Sequence, residues 1–207
     1  MSSSTLAGSR VLMIVAHCDD EIICGWPIMQ DSSIEKTILM VSSDRYSLER
    51  QWCAHRKFVF MDVCKRLSIK CKVLDYNSNF YALPSRDGSL LGLERRIARM
   101  LGDVSQYDFV FTHNPFGEYG HHDHKYLFQT VAQLARKPVL ISDICMKSDW
   151  SDSNELTERM RSIYYQRTIG EAKLDKNFYD QIKNQYDLAK VWTWNQKPVD
   201  SCKLYIL

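Results

Sequence analysis

Two short segments of the chain concentrate side chains that can bind a metal ion. Residues 17–21 read His-Cys-Asp-Asp-Glu, residues 119–124 read Tyr-Gly-His-His-Asp-His, and four of the six histidines fall within positions 113–124. Imidazole nitrogens and carboxylate oxygens are common zinc ligands, and a catalytic zinc site takes three of them and keeps a position for water. The two segments therefore predict the metal centre of a hydrolase that uses a single ion.

Three residues of these segments, His17, Asp20 and His124, can supply such a ligand set. Water at a metal also needs a nearby base to take its proton, and the carboxylate of Asp19 is placed to do so. Two other interpretations stay open from the residues alone. The histidines could be separate surface residues, and the acidic run 19–21 could cap the start of a helix, where negative charge is favoured.

The fold must bring the two segments to one place. Short apolar runs rich in β-formers predict buried strands at residues 10–16, 37–42, 72–76, 109–112 and 138–142. The patterns between them predict helices over about 20–29, 48–67, 91–101 and 125–135. This alternation predicts an α/β fold with a Rossmann-like, open, mostly parallel sheet and helices on both faces. Ligands bind beyond the carboxyl ends of such strands, which is where both segments fall.

The chain changes character after about residue 148. We expect residues 155–188 to be largely helical with a break at Gly170, and residues 191–194 and 204–206 to be late edge strands or lid elements. A length of 207 residues suits one domain. We therefore expect a single domain over 1–207, in which 148–207 form a helical and edge-strand extension.

Composition narrows the function classes. The net charge of +2 gives no broad basic field, so we expect no nucleic-acid partner. The seven cysteines contain no Cys-x-x-Cys pair, which favours reduced, buried thiols. Neither a signal peptide nor an apolar run of membrane-spanning length is evident, so we expect a cytoplasmic protein without a transmembrane segment. The Gly-x-Gly-x-x-Gly pattern of dinucleotide-binding proteins does not follow the first strand.

With these residues in place, the sequence resembles the LmbE-like, PIG-L-type N-acetylglucosaminyl deacetylases. Their signatures are Ala-His-Pro-Asp-Asp-Glu and Gly-His-x-Asp-His, and this chain has Ala-His-Cys-Asp-Asp-Glu and Gly-His-His-Asp-His in the same order. The resemblance extends over about residues 11–142. It implies a Rossmann-like fold, one zinc or alternatively iron(II) ion, and hydrolysis of an acetamide on an amino sugar or glycoconjugate. It also assigns the metal ligands to His17, Asp20 and His124, and the general base to Asp19.

The resemblance implies further roles in the second segment. His121 would be a protonated group that stabilises the oxyanion or protonates the leaving amine, and Asp123 would orient or charge-pair it. Tyr119 matches a tyrosine that in some members donates to the oxyanion, a contact that can contribute ~3 kcal/mol to the transition state. Glu21 would hold a ligand in place or cap the helix.

Substrate contacts are expected from residues outside the two motifs. The helix after the second strand carries Arg56, which the resemblance makes a candidate to bind a sugar or phosphate, with Ser43, Asp44 and Arg45 as neighbours. His113 ends a strand near the site and would line the substrate pocket. Trp192 and Trp194 could stack on a sugar ring if the C-terminal segment folds over the mouth, or could pack in the core.

Two positions depart from the family pattern. Cys18 stands where the family has proline, and we expect its thiol to point away from the metal; His122 is expected to be an exposed histidine without a role. His55 is expected to be structural. The alternatives to a deacetylase are a metal-dependent phosphoester hydrolase and a non-catalytic metal-binding or sugar-binding domain.

Overall fold

A seven-stranded sheet forms the centre of the protein. In this computed structural model the described residues are 5–43, 51–82, 89–102, 104–144, 155–194 and 196–207. The strands are β1 (Arg10–Val15), β2 (Glu35–Ser42), β3 (Lys70–Tyr76), β4 (Phe109–Phe111), β5 (Val139–Ser142), β6 (Thr168–Lys173) and β7 (Ser201–Ile206). Their spatial order is β3-β2-β1-β4-β5-β7-β6. Strands β1 to β5 are parallel, and β7 is antiparallel to both β5 and β6.

Helices cover both faces of this sheet. They are α1 (Asp20–Ile23), α2 (Trp26–Met29), α3 (Gln51–Arg66), α4 (Ser89–Gly102), α5 (Gly117–Gly120), α6 (His122–Leu134), α7 (Glu155–Tyr164) and α8 (Lys176–Leu188), with short 3-10 turns at Phe80–Ala82 and Val104–Gln106. Met13 of β1 packs with residues of α3 and α8, whereas Leu12 packs with residues of α4 and α6. Successive side chains of a strand point to opposite faces, so β1 is buried from both sides. The expected mostly parallel α/β fold is confirmed.

The strand order places the two motifs side by side. β1 pairs in parallel with β2 on one side and with β4 on the other, so the order of the strands reverses between β1 and β4. The crevice beyond the carboxyl ends of strands at such a reversal is the usual ligand site of open α/β sheets. Residues 17–21 follow β1 and residues 113–124 follow β4, so both motifs open into this crevice.

The first expected helix is two helices, α1 and α2, that meet at Gly25. A Cβ atom at Gly25 would lie 1.7 Å from Cε of Met13 and 2.7 Å from the carbonyl oxygen of Glu21. The chain passes so close to β1 here that a side chain has no room. Trp26 then starts α2, with Pro27 in its first turn. The helix expected over 48–67 is α3, and its first expected residues lie outside the described ranges.

The C-terminal part is less helical than expected. Gly170 does not break a helix; it lies within β6, between α7 and α8. Residues 204–206 belong to β7, which lies between β5 and β6 and is not an edge strand. Sequence patterns missed β6 because Thr168–Lys173 is mostly polar and only half-buried. No helix among the described residues has the length and apolar character that crossing a membrane requires.

Candidate active site

Three donor atoms from the two motifs form a nearly equilateral triangle. His17 Nδ1 and His124 Nε2 each lie 3.2 Å from Asp20 Oδ2, and the two ring nitrogens lie 3.3 Å from each other. Ligands of a tetrahedral zinc ion at about 2.0–2.2 Å lie roughly 3.3–3.6 Å apart. The three residues expected to be ligands are therefore brought together at a separation that suits one ion.

Local structure fixes each corner of the triangle. His17 follows β1 directly, and Asp20 is the first residue of α1. The backbone N–H of His17 donates to Asp20 Oδ2 at 2.8 Å, which ties the carboxylate to the end of the strand. His124 lies in the first turn of α6 and is fully buried. The three donor atoms thus depend on the segments that follow two neighbouring strands and on the first turns of two helices.

Buried carboxyl groups are concentrated at the site. All the buried carboxylates among the described residues lie here: Asp19, Asp20, Glu21, Glu118 and Asp123. Burial would lower the pKa of His124, but Asp20 and Glu118 outweigh it and raise that pKa to about 10. Buried charges in proteins are paired or coordinate metals. Carboxylate oxygens and imidazole nitrogens gathered in this way are the donor types that bind a metal ion.

Asp19 stands beside the triangle in an unusual backbone conformation, with φ 102° and ψ −19°. Its carboxylate forms an ion pair with Arg56, and the hydroxyl of Thr193 donates to its Oδ2 at 3.3 Å. Burial raises the pKa of Asp19 to about 6, against the opposing charge of Arg56. A carboxylate with such a pKa is a suitable proton acceptor near neutral pH.

His121 is placed at the site, but not as an imidazolium. Its Nδ1 accepts a hydrogen bond of 3.2 Å from the backbone N–H of Asp123, which requires an unprotonated Nδ1. Burial, together with the neighbouring His124 and His17, lowers the pKa of His121 to about 4. The expectation of a protonated His121 is therefore corrected: the ring is neutral and can donate from Nε2.

Asp123 also has a different partner from the one expected. Its Oδ2 lies 3.0 Å from Nε2 of His17 and accepts from the backbone N–H of Asn79 at 2.7 Å, while Oδ1 accepts from Tyr81 at 3.1 Å. The carboxylate thus holds His17, while the backbone N–H of Asp123 donates to His121. It faces His17 because the residues of the first turn of α6 diverge around the helix.

Glu118 belongs to the site and was missed by sequence reasoning. Its Oε2 lies 2.7 Å from Nδ1 of His124 and 3.0 Å from Nδ1 of His113, and its Oε1 accepts from the backbone of Asn114. Burial would raise the pKa of Glu118, but the two histidines lower it to about 2. Such a carboxylate orients a metal-binding histidine. The sequence offered one signal for this role, namely an acidic residue six positions before His124.

His113 does not line the pocket. The side chain is buried behind the triangle, where its ring stacks on His124 with centroids 3.8 Å apart. Its Nε2 accepts from the backbone N–H of Ala16, and its Nδ1 contacts Glu118. The expected substrate contact is therefore corrected to support of His124 from behind, because the contacts with Ala16 and Glu118 hold this ring inside the protein.

An open cavity of about 330 Å³ lies in front of the triangle. Its lining residues are His17, Asp19, Asp20, Ile23, Arg56, Ser78, Asn79, Tyr119, His121, Thr193 and Trp194. The rings of Tyr119 and Trp194 lie 4.6 Å apart at this cavity. Residues 191–194 have no regular secondary structure and lie across the site, so the lid alternative describes them better than an edge strand.

The two tryptophans have separate environments. Trp194 lines the cavity, whereas Trp192 packs against the rings of Tyr179 and Tyr186 in α8. Arg56 is buried at the cavity and contacts Asp19. Ser43 follows the end of β2, and its hydroxyl donates to the carboxylate of Asp75. Asp44 and Arg45 lie outside the described ranges.

Two thiols lie near the acidic motif. The Sγ of Cys18 lies 3.8 Å from the carbonyl oxygen of Ser42, on the side of β2, and Cys24 Sγ lies 3.9 Å from Asp20 Oδ1. Cys24 could join a second metal-binding group with three residues behind the triangle: His113, Glu118 and His124. That group is fully buried, and its histidines already bond Glu118. Of the two groups, the front triangle has residues that line the cavity, His17 and Asp20.

The remaining histidines have no contact with the triangle among the described residues. His55 and His122 are exposed, and the ring of His122 lies 4.9 Å from that of Tyr81.

Glu21 is fully buried; one carboxylate oxygen accepts from the backbone N–H of Asp19 at 2.8 Å and the other from the hydroxyl of Tyr186 at 2.5 Å. Burial raises the pKa of Glu21 to about 8, against the hydrogen bond from Tyr186.

No family model matches the chain. A relative, an uncharacterized protein of Acanthamoeba polyphaga mimivirus, is 28% identical over 192 residues, which cover 86% of this chain and 79% of the relative. Solved structures give a clearer likeness. The antimicrobial A40926 pseudoaglycone deacetylase superposes with a TM-score of 0.59 at 13% identity, covering 89% of this chain and 82% of the other.

Two further structures share this architecture. The N,N'-diacetylchitobiose deacetylase of Pyrococcus horikoshii gives a TM-score of 0.51 at 16% identity, over 96% of this chain and 84% of the other. The 4-carboxy-2-hydroxymuconate hydratase of Pseudomonas putida gives 0.50 at 12% identity, over 96% of both chains. The protein therefore has the fold of the LmbE-like, PIG-L-type deacetylases. This fold is also used by a hydratase, so the reaction must be argued from the site.

Proposed function

We propose that the protein is a metal-dependent amide hydrolase that removes the N-acetyl group of an amino sugar or sugar conjugate. One observation carries this proposal: His17 and Asp20 of the donor triangle line the same cavity as Asp19, and His124 completes the triangle behind them. A metal site and a base at one cavity are the two parts that metal-assisted hydrolysis of an amide uses.

His17, Asp20 and His124 would hold the ion, and Asp123 and Glu118 would orient the two histidines through their other ring nitrogens. A zinc or iron(II) ion in this position supplies Lewis acidity for the acetamide carbonyl and lowers the pKa of water. The mixed nitrogen and oxygen donor set suits either ion.

Asp19 would take the proton of the attacking water. Arg56 and Thr193 both contact its Oδ2, so the carboxylate is held in one orientation beside the cavity. After attack, the leaving amine must gain a proton, and the protonated Asp19 is the group at hand to return it. A neutral His121 cannot serve as that acid, because its Nδ1 accepts from the backbone.

His121 and Tyr119 would stabilise the oxyanion. The neutral ring of His121 keeps Nε2–H as a donor at the cavity, and burial raises the pKa of Tyr119 above its usual value, so its hydroxyl stays protonated. Neutral donors of this kind act on charge that develops in the transition state. This assignment replaces the imidazolium role that the motif implied for His121.

The substrate class rests on the shape and lining of the cavity. A volume of about 330 Å³ is at the lower end of small-molecule sites and suits one sugar ring. Arg56 offers a cation to a polar group, and the paired rings of Tyr119 and Trp194 offer an aromatic surface. Aromatic faces pack well against the apolar side of a ring. One structural neighbour is a diacetylchitobiose deacetylase, which also favours an N-acetylated sugar.

A panel assay tests this proposal. Metal-loaded protein is incubated with N-acetylated monosaccharides, chitobiose derivatives and nucleotide sugars, and acetate and free amine are quantified together. Para-nitrophenyl phosphate is included, because the phosphoester hydrolase alternative predicts phosphate release. Equimolar acetate and amine from one sugar class support the deacetylase. Phosphate release without acetate would support the alternative, and no product from any compound would favour a non-catalytic domain.

A further inference from the structure

The backbone of Asp19 needs external support. A non-glycine residue at φ 102° lies in a region that side chains disfavour, and such residues persist only when their surroundings hold them. Asp19 is buried, and no side chain caps α1 at this position. The residues that contact Asp19 therefore decide whether its carboxylate faces the cavity.

The first support reaches the backbone of Asp19 through Glu21. One oxygen of Glu21 accepts from the backbone N–H of Asp19 at 2.8 Å, and the other accepts from the hydroxyl of Tyr186 at 2.5 Å. Tyr186 is fully buried in α8, 165 positions further along the chain than Glu21. Its hydroxyl fixes the carboxylate of Glu21, which in turn fixes the strained turn.

The second support acts on the side chain. Thr193 follows α8 and donates from Oγ1 to Asp19 Oδ2 at 3.3 Å, and Arg56 lies 3.4 Å from the same hydroxyl. Between these two contacts, Trp192 packs its ring against Tyr186 with centroids 5.9 Å apart. The helix α8 and the segment that follows it thus hold Asp19 from two directions.

We propose that Tyr186 and Thr193 are positioning residues that hold Asp19 in its reactive orientation, so that the C-terminal part of the chain completes the active site formed by β1 and β4. The proposal rests on the role of Asp19 as general base given above. Neither residue needs to contact substrate for this effect. Displacement of a reacting group by about 1 Å can cost roughly 100-fold in rate, so loss of one hydroxyl is expected to be measurable.

Hydroxyl-deleting variants test the proposal. We expect Tyr186→Phe and Thr193→Val each to lower kcat about tenfold at unchanged metal content. Tyr186 does not line the cavity, so Tyr186→Phe should also leave KM unchanged. Thr193→Ser keeps the donor and should restore kcat. The matched control is Tyr179→Phe, since Tyr179 is also buried in α8 and also packs on Trp192, but has no described bond to Glu21. Wild-type kcat in Tyr186→Phe, or an equal loss in Tyr179→Phe, would overturn the proposal.

A double variant tests whether Tyr186 acts through Asp19. In the Asp19→Asn background, Tyr186→Phe should leave the residual rate unchanged, because coupled residues are not additive. A further tenfold loss in that background would show that Tyr186 acts by another route.

Amide hydrogen exchange provides a readout that does not need turnover. Tyr186→Phe should speed exchange of the Asp19 amide about tenfold, with β1 amides unchanged, whereas a general loss of stability would speed both. If the wild type releases no acetate, the proposed function fails, and the exchange result still decides the positioning role. Unchanged exchange at Asp19 would overturn it.

Discussion

The Nε2 atom of His124 lies 3.3 Å from Nδ1 of His17, although 107 positions separate the two residues in the chain. Asp20 Oδ2 lies 3.2 Å from each of these nitrogens. The fold therefore brings two ring nitrogens and one carboxylate oxygen, all from buried side chains, close enough together to bind a single ion.

Removal of a ligand should remove the metal. We expect His124→Ala to lose its ion, because two donor atoms of the triangle cannot replace the third in a buried site. Elemental analysis after dialysis measures this directly, with one equivalent of metal expected per wild-type chain. His122→Ala is the matched control, since His122 is two positions away and exposed. Full metal content in His124→Ala would contradict the ligand assignment.

Removal of the base should leave the metal in place. We expect Asp19→Asn to keep one equivalent of ion and to lose about 10²–10⁴-fold in kcat, the usual contribution of a general base. Steady-state kinetics and metal analysis on the same preparation check both parts. Substantial turnover by Asp19→Asn would exclude Asp19 from proton transfer.

His121 can be separated from the ligands by the same pair of measurements. One ring nitrogen of His121 lies within 4.8 Å of ligand atoms of His17 and His124, so the ring could in principle bind the ion instead of Asp20. We expect His121→Ala to retain metal and to lose about 10²–10³-fold in kcat, as for loss of one oxyanion donor. Loss of metal in this variant would make His121 a ligand.

Glu118 should act on metal affinity. A glutamine has one acceptor oxygen for the three donors that Glu118 now contacts, so we expect Glu118→Gln to weaken metal binding about 10–100-fold. Competition with a chromogenic chelator measures the affinity. Glu94→Gln on α4 is the control, because Glu94 accepts only from Tyr126 among the described contacts. An unchanged affinity in Glu118→Gln would leave Glu118 without a role at the ion.

Gly25 should tolerate no side chain. We expect Gly25→Ala to lower the free energy of unfolding by about 1–3 kcal/mol, the usual cost of overpacking, since its Cβ would meet Met13 and the backbone of Glu21. Urea denaturation measures the change. At Gly170 nothing lies within 4 Å of an added Cβ, so Gly170→Ala should change stability by no more than about 0.5 kcal/mol. Equal effects in the two variants would contradict the packing at Gly25.

Much of the fold could be predicted from local patterns. The apolar runs that became β1, β2 and β5 are buried on both faces of the sheet and therefore give a strong signal in sequence. β6 gave none, because it lies at the edge of the sheet and its residues are half-buried or exposed. An apolar run in the sequence marks a strand only where the strand is buried, and little of β6 is buried.

The part of the site that could be predicted consists of residues with metal-binding side chains that follow strands of the sheet. His17 and Asp20 follow the end of β1, and His124 lies in α6, which comes after β4, so their meeting at the crevice followed from topology. Glu118 could not be placed, because its contact with His124 depends on a positive φ of 53° in the turn before α6. Thr193 could not be linked to Asp19, since a contact across 174 positions leaves no local pattern.

The most direct test of the central claim is acetate release from an N-acetylated amino sugar by the chelated protein before and after metal is restored. The account predicts no release after chelation, recovery with one equivalent of zinc or iron(II), and free amine in equal amount to acetate. Acetate release that is unaffected by complete removal of metal would contradict the account.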